Sequence, residues 1–174
     1  DSFRNISTSN PPPGVSLSIS SHIQSHGWQP TVEDSMVSGT FKQKLRTEAV
    51  KIKLNNATGY QGGITYSAHV AGIGWQDYVS NDTIAGTIGQ SRQMEAIRIT
   101  LNGEIASHYD VWYRTHVQDY GWLGWSKNNQ PSGTQGAGKR IEALEIRVVP
   151  KNSITLSSYN NFYNPKSKPV PETL

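Results

Sequence analysis

The chain contains no cysteine. Disulfides, thiolate metal sites and a cysteine nucleophile are therefore excluded, while the compartment stays open. No apolar run approaches the length needed to span a bilayer as a helix. No segment reads as a signal peptide, as expected of a secreted domain whose leader has been removed or of an excised module. Charge is sparse: 17% of residues are Asp, Glu, Lys or Arg, and the formal net charge is +3. The basic residues (Lys42, Lys44, Arg46, Lys51, Lys53, Arg98, Lys139, Arg140, Arg147) are scattered, and no dense stripe tracks a phosphate backbone, which argues against nucleic acid. No segment holds a 3.6-residue period, so no amphipathic helix is expected. Ser-His-Asp, His-Glu-x-x-His and Gly-x-Ser-x-Gly patterns are absent, and with them the usual hydrolase signatures.

What is present is a repeat. "HIQSHGW" from His22, "HVAGIGW" from His69 and "HVQDYGW" from His116 stand 47 residues apart. At that interval three segments align without a gap, roughly 16–62, 63–109 and 110–156. Eight columns are identical in all three: His22/His69/His116, Gly27/Gly74/Gly121, Trp28/Trp75/Trp122, Gly39/Gly86/Gly133, Thr40/Thr87/Thr134, Glu48/Glu95/Glu142, Ala49/Ala96/Ala143 and Ile52/Ile99/Ile146. Such a repeat dictates architecture.

Each unit opens on an alternating strand, "VSLSISSHI", "ITYSAHV" and "VWYRTHV", with Ile64, Tyr66 and Val70 or Val111, Tyr113 and Val117 on one parity. Each closes on another, "AVKIKL", "AIRITL" and "ALEIRV", in which Ile97, Ile99 and Leu101 face one way and Arg98 and Thr100 the other. Gly-rich stretches between them, "AGTIGQSRQ" and "SGTQGAGKR", read as turns joined by short strands. The prediction is an all-β protein, a closed pseudo-threefold assembly of three 47-residue repeats resembling a β-prism, with a β-trefoil as the alternative. One domain is expected over 15–157, because 47 residues alone bury too little apolar area. Residues 1–14, ending in three prolines, read as a linker, and 158–174 as a C-terminal tail or linker. Ser153–Leu156 occupies the register of Ala106–Tyr109 and is a candidate to close the last sheet.

At the Gly-Trp, Gly-Thr and Glu-Ala columns, "YSAHVAGIGWQDYVSNDTIAGTIGQSRQMEAIRITL" and "YRTHVQDYGWLGWSKNNQPSGTQGAGKRIEALEIRV" resemble clostridial hydrophobic repeats with a recurring tryptophan, the ChW repeats. The first unit departs from the pattern, with Lys42 where the others have Gly89 and Gly136, and "WQPTV" for "WQDYV" and "WLGWS". The resemblance implies a secreted or surface protein of a Gram-positive bacterium, with a non-catalytic role in attachment to glycan or to other proteins.

Several residues are candidates for a ligand site. Trp28, Trp75 and Trp122 read either as stacking platforms for a sugar ring or as wedges filling space between sheets. His22, His69 and His116 lie on the parity opposite the apolar residues, facing away from the core side. They read either as site residues or as structural groups covered by the Gly-Trp that follows, and a metal shared by the three is a remoter reading. Glu48, Glu95 and Glu142 share parity with Val50, Ile97 and Leu144, so they are expected to enter on the inward face and clamp the backbone N–H groups of the Gly-Thr turn. Positions that the repeats do not all share are the better candidates, because a fold can spare them. Tyr78 and Trp125 share a column with Thr31, and Asn81 and Asn128 one with Asp34. Gln76, Asp77 and Arg92 add polar reach in the second unit, and Asp119, Tyr120 and Lys139 in the third, where Trp112, Arg114 and His116 lie on one outward strand face. The predicted ligand set is His69, Trp75, Gln76, Asp77, Tyr78, Asn81, Arg92, His116, Asp119, Trp122, Trp125, Asn128 and Lys139, with no catalytic residue, no metal and no cofactor. The expected function is that of a non-catalytic, secreted or surface carbohydrate- or cell-wall-binding module, made multivalent by its repeats. The alternative is a protein–protein module of an extracellular complex. Nucleic acid and membrane insertion are not expected.

Overall fold

A computed structural model of the chain describes residues 12–165. The first unit forms β1 (Val15–Ile23), β2 (Gly27–Trp28), β3 (Val32–Glu33), β4 (Val37–Gly39) and β5 (Thr47–Asn56). The second repeats this as β6 (Gly63–Val70), β7 (Gly74–Trp75), β8 (Val79–Ser80), β9 (Ala85–Gly86) and β10 (Met94–Asn102). The third does so as β11 (Tyr109–Val117), β12 (Gly121–Trp122), β13 (Ser126–Lys127), β14 (Ser132–Thr134) and β15 (Ile141–Pro150), followed by β16 (Phe162–Tyr163). A single turn of 3-10 helix, Glu104–Ser107, links the second unit to the third, and the described residues contain no α-helix. The all-β expectation is met.

The two long strands of each unit pair antiparallel, β1 with β5, β6 with β10 and β11 with β15, and each pair is the spine of its own sheet. The three sheets do not merge into one barrel. The Gly-Thr strand of each unit pairs outside its own sheet. β4 joins β15 of the third unit, β9 joins β5 of the first, and β14 joins β10 of the second. A second set of backbone bonds runs the same way: the N–H groups of Ser35, Asp82 and Asn129 donate to the carbonyls of Ile146, Ile52 and Ile99. Every unit thus completes the sheet of another, and the exchange runs through all three before returning to its start.

One apolar core draws on all three units. Leu17, Ile19, Val50 and Ile52 meet Ile64, Tyr66, Ile97 and Ile99, and these meet Val111, Tyr113, Leu144 and Ile146. Each such side chain contributes about 1.5–3 kcal/mol by leaving water. Two tyrosines stitch units together from inside it. The Tyr66 hydroxyl donates to the Thr83 carbonyl and accepts the N–H of Ile52 in the first unit at 3.0 Å. Tyr113 does the same between the third unit and the second, donating to the Gln130 carbonyl and bonding the backbone of Ile99. Burial pushes the Tyr66 phenol up to about 12, so it stays a neutral donor.

The glycine of the Gly-Thr column explains why a strand can cross to a neighbour there. Gly39, Gly86 and Gly133 have φ of +112°, +99° and +118°. A Cβ on Gly86 would lie 2.3 Å from the Glu48 carbonyl oxygen, and one on Gly133 the same distance from that of Glu95. No side chain fits between these backbones.

The C-terminal stretch differs from expectation. Ser153–Leu156 forms no strand. Instead Leu156, with Ile154 behind it, caps Trp112, Trp125 and Val149 in a second apolar cluster. Within the segment read as tail, β16 pairs parallel with β14, so residues 158–165 belong to the fold. The linker assigned to 1–14 falls mostly, and the tail beyond 165 wholly, outside the described residues.

Candidate functional site

The spacing from histidine to tryptophan is that of a tight hairpin. In the first unit β1 turns into β2 so that Trp28 lies directly opposite His22, and the same register pairs His69 with Trp75 and His116 with Trp122. The rings meet edge to face, with centroids 5.3 Å apart in all three units. The Gly before each tryptophan has positive φ, +73°, +89° and +74°, with nothing crowding its α-carbon. That glycine serves the turn rather than a close approach. The tryptophans are half-buried and lie outside both apolar clusters, so they are not wedges of the interior.

Beside each histidine lies the repeated glutamate, but on the outer face. Parity predicted the inner face, and a β-bulge reverses it. The ladder slips between His22 and Ile23, between Met94 and Ala96, and between His116 and Val117. Met94 and Ile97, three residues apart, both enter the core, which leaves Glu95 and Ala96 facing out. Glu48 therefore reaches His22 Nδ1 at 3.0 Å and Arg46 Nε at 2.8 Å, and Glu142 reaches His116 Nδ1 at 3.1 Å and Arg140 Nε at 3.0 Å. In the second unit Gln93 replaces the arginine, donating to Glu95 at 3.0 Å, and His69 Nδ1 stands 3.3 Å from Glu95 without hydrogen-bond geometry. The partners of these carboxylates are side chains, not the turn amides that were expected. Burial, aided by the nearby Arg98 guanidinium, pushes His69 below its ordinary value against the pull of Glu95.

A cation covers each tryptophan. Lys51 Nζ lies 4.4 Å from the Trp28 ring centre, the Arg98 guanidinium 4.3 Å from that of Trp75, and the Arg114 guanidinium 4.4 Å from that of Trp122. Lys51 and Arg98 occupy one column, but the third unit has Glu145 there. Arg114 comes instead from the strand opposite, its Nε and a terminal nitrogen donating to one Glu145 oxygen at 3.1 and 2.9 Å. The contact is kept in space while its residue moves across the strand pair.

Several predicted ligand residues are committed to the fold. Trp125 is 2% exposed in the second cluster and cannot offer a ring face to a ligand, and Trp112 beside it is also buried. Gln76 clamps the β9 backbone, accepting from Gly86 N–H at 2.8 Å and donating to Gly86 C=O at 3.2 Å. Asn81 accepts the Leu54 N–H at 2.6 Å and Asn128 the Val111 N–H at 2.9 Å, while Asp34 accepts those of Leu17 and Val148. That column fastens strands, and burial raises the Asp34 carboxyl above its ordinary range despite those bonds. Arg92 donates to the Ala71 carbonyl at 2.9 Å. His69 and His116 stand under the Gly-Thr loops that arrive from the third and first units. Trp75 gives its indole N–H to Gln135 at 3.0 Å, and Tyr78, 42% exposed, gives its hydroxyl to Asn129 at 2.6 Å with Arg98 over its ring. Asp77 is exposed. Among the described residues, no three His, Asp or Glu side chains gather as metal ligands.

The third unit carries a cleft of about 670 Å³, lined by Asp119, Tyr120, Trp122, Leu123 and Gly124 on one side and by Tyr159, Asn160, Phe162 and Tyr163 on the other. Five aromatic rings face one space; Tyr120 and Tyr163 meet edge to face at 5.9 Å. Asp119 pairs with Lys139 at 2.6 Å on the rim. The C-terminal segment is pinned there by Trp125 N–H donating to the Ser157 carbonyl at 2.8 Å and Gln135 N–H to that of Tyr163 at 2.9 Å. Gly124 makes the approach possible, since a Cβ would sit 2.2 Å from the Tyr159 carbonyl. Asp119, Tyr120 and Trp122 were among the sequence candidates. Tyr159, Phe162 and Tyr163 were not, although "YNNFY" is an unusually aromatic run for a linker.

Fold and site define a class: an all-β protein of three tandem units that trade strands through a shared core and carry a His–Glu–Trp cluster each. The family described as Clostridial hydrophobic W (ChW) matches residues 22–56, 69–103 and 116–150, and the chain belongs to it. No curated protein and no solved structure matched the chain.

Proposed function

We propose that this chain is a non-catalytic, secreted or surface-held module that binds carbohydrate, with the aromatic cleft of the third unit as its principal site. The observation that carries this reading is the cleft itself. Its volume lies within the range that small ligands occupy, and its rings present faces to which the C–H side of a sugar can stack. Asp119 and Asn160 line the same cleft and supply polar groups that can accept from and donate to hydroxyl groups. The first two units keep the His–Glu–Trp cluster but have no counterpart of the C-terminal segment, so sugar binding concentrates in the third unit. We read the cyclic strand exchange as a pseudo-threefold β-prism, in which equivalent faces point outward in three directions. Secretion and a cell-wall target follow from the resemblance to clostridial surface proteins. The test is a broad glycan array probed with the intact chain, followed by Tyr159→Ala and Tyr163→Ala. Binding to a defined set of glycans that both substitutions weaken by tenfold or more supports the site, and an array without signal rejects it.

A second reading, docking to a protein of an extracellular complex, draws on the second unit. There Ile73, Ile84 and Ile88 are each more than 40% exposed. It predicts capture by a protein partner that added sugars do not disturb.

A further inference from the structure

Next to the aromatic cleft, with Asp119 lining both, lies a second hollow of about 510 Å³. Its floor is the His116–Glu142 pair with Arg140, and its wall is the loop that the first unit sends over the third, carrying Lys42 and Lys44. The loop is anchored on both sides: Val37–Gly39 pairs with β15, and Thr40 N–H donates to the Glu142 carbonyl at 2.9 Å. Phe41 then lies against His116, with ring centres 5.6 Å apart, and 6.4 Å from Trp122.

Lys42 and Lys44 hold φ of +66° and +57°, backbone that disfavours any side chain of this kind. The equivalent positions in the third unit are glycines, Gly136 and Gly138, at +77° and +67°. Those glycines line the matching hollow over the second unit, about 460 Å³, where His69 and Glu95 stand as His116 and Glu142 do here, and where no lysine or arginine lines the wall. The fold therefore accepts glycine at these places and functions as a built-in comparison. Two strained lysines have been placed on the one copy of the hollow that adjoins the aromatic cleft. The carboxylates present are already answered, Glu142 by Arg140 and Asp119 chiefly by Lys139, with Arg140 and Lys44 as weaker, more distant charges; neither Lys42 nor Lys44 forms an ion pair among the described residues.

We infer that this hollow is an anion subsite, so that the glycan bound in the aromatic cleft is an acidic one whose carboxylate or phosphate group reaches Lys42 and Lys44. The inference rests on the carbohydrate reading and specifies its ligand class. Stacking holds the ring in the cleft, and the two ammonium groups select the charge beside it. Exposed ion pairs of this kind are individually weak, so the pair together is worth about tenfold in affinity and is sensitive to salt.

The experiment is calorimetric titration of the intact chain with an oligogalacturonate, with its neutral methyl ester, and with a phosphorylated oligomannoside, at low and at high salt. The variant is Lys42→Gly/Lys44→Gly, which installs the residues of the third unit and should fold at least as stably. The expected result is at least tenfold preference for one of the acidic probes, lost in the variant and in high salt, with binding of the ester unchanged. The stronger of the two acidic probes identifies the group as carboxylate or phosphate. Equal affinity for acid and ester, or a variant that binds acid like the parent, overturns the inference while leaving the carbohydrate reading in place. Loss of every glycan signal, array included, removes both.

Discussion

A single hydroxyl or imidazole decides a good deal in this molecule. Tyr66 spans two units, and Tyr66→Phe strips the buried Ile52 N–H of its partner. The expected loss is about 1–3 kcal/mol, read as a lower urea midpoint with an unchanged slope. His69 predicts a pH dependence. Its folded value lies below the ordinary 6.5, so the unfolded chain binds the proton more readily than the folded one. The stability it confers is complete above about pH 6.5 and is lost as acidity increases through the lowered folded value. Melting temperature should fall on going from pH 7.5 to pH 5.5, and His69→Gln should flatten part of that fall; a variant with an undiminished pH response would assign the effect to other groups. At this scale the sequence disclosed identities better than roles. The alternation of Ile64, Tyr66 and Val70 sorted inside from outside correctly. The same reasoning failed at Glu95, because a bulge adds one residue and reverses every parity beyond it. Gln76, Asn81 and Asn128 were singled out on other grounds, their variability between units, and that variability masks that each holds a backbone group.

Among elements, the exchanged strand is the joint. β9 can lie against β5 only because Gly86 brings no Cβ to a place 2.3 Å from the Glu48 carbonyl. Gly86→Ala is expected to cost about 3 kcal/mol or more, since the positive φ and the backbone collision add. Chemical denaturation measures the loss, and Gly89→Ala, at a left-handed position with open space around it, is the control that should cost much less. The invariant Gly-Thr was visible in the sequence as a turn with short strands. Its partner was not, because a two- or three-residue strand has no periodicity to announce a mate some 40 to 110 residues away in the chain. The aromatic cleft has the same origin. Tyr159, Phe162 and Tyr163 sit outside the repeat and acquire meaning only when β16 pairs with β14.

For the whole molecule, the cyclic exchange makes the three units one cooperative structure. A chain ending at Tyr109 would leave β4 without β15 and β10 without β14, and would remove Val111, Tyr113, Leu144 and Ile146 from the core. Such a truncation is expected not to fold, giving a far-ultraviolet spectrum of unordered chain and poorly dispersed amide resonances. The intact chain should unfold in one transition, with tryptophan fluorescence and circular dichroism coinciding. Independent melting of the truncated pair would contradict this. By itself the sequence determined what is local and repeated: the all-β character, the two long strands of each unit, and the family. These follow from alternation, turn residues and spacing, which act over a few neighbours. The two readings left open for the histidines were narrowed only when each was found opposite its tryptophan. Tertiary structure alone decided which unit completes which sheet, which face the glutamates take, and that the C-terminal segment closes an aromatic cleft against the third unit. Those outcomes depend on backbones and rings that meet across the exchange, where burial and steric fit, not order along the chain, select the partner.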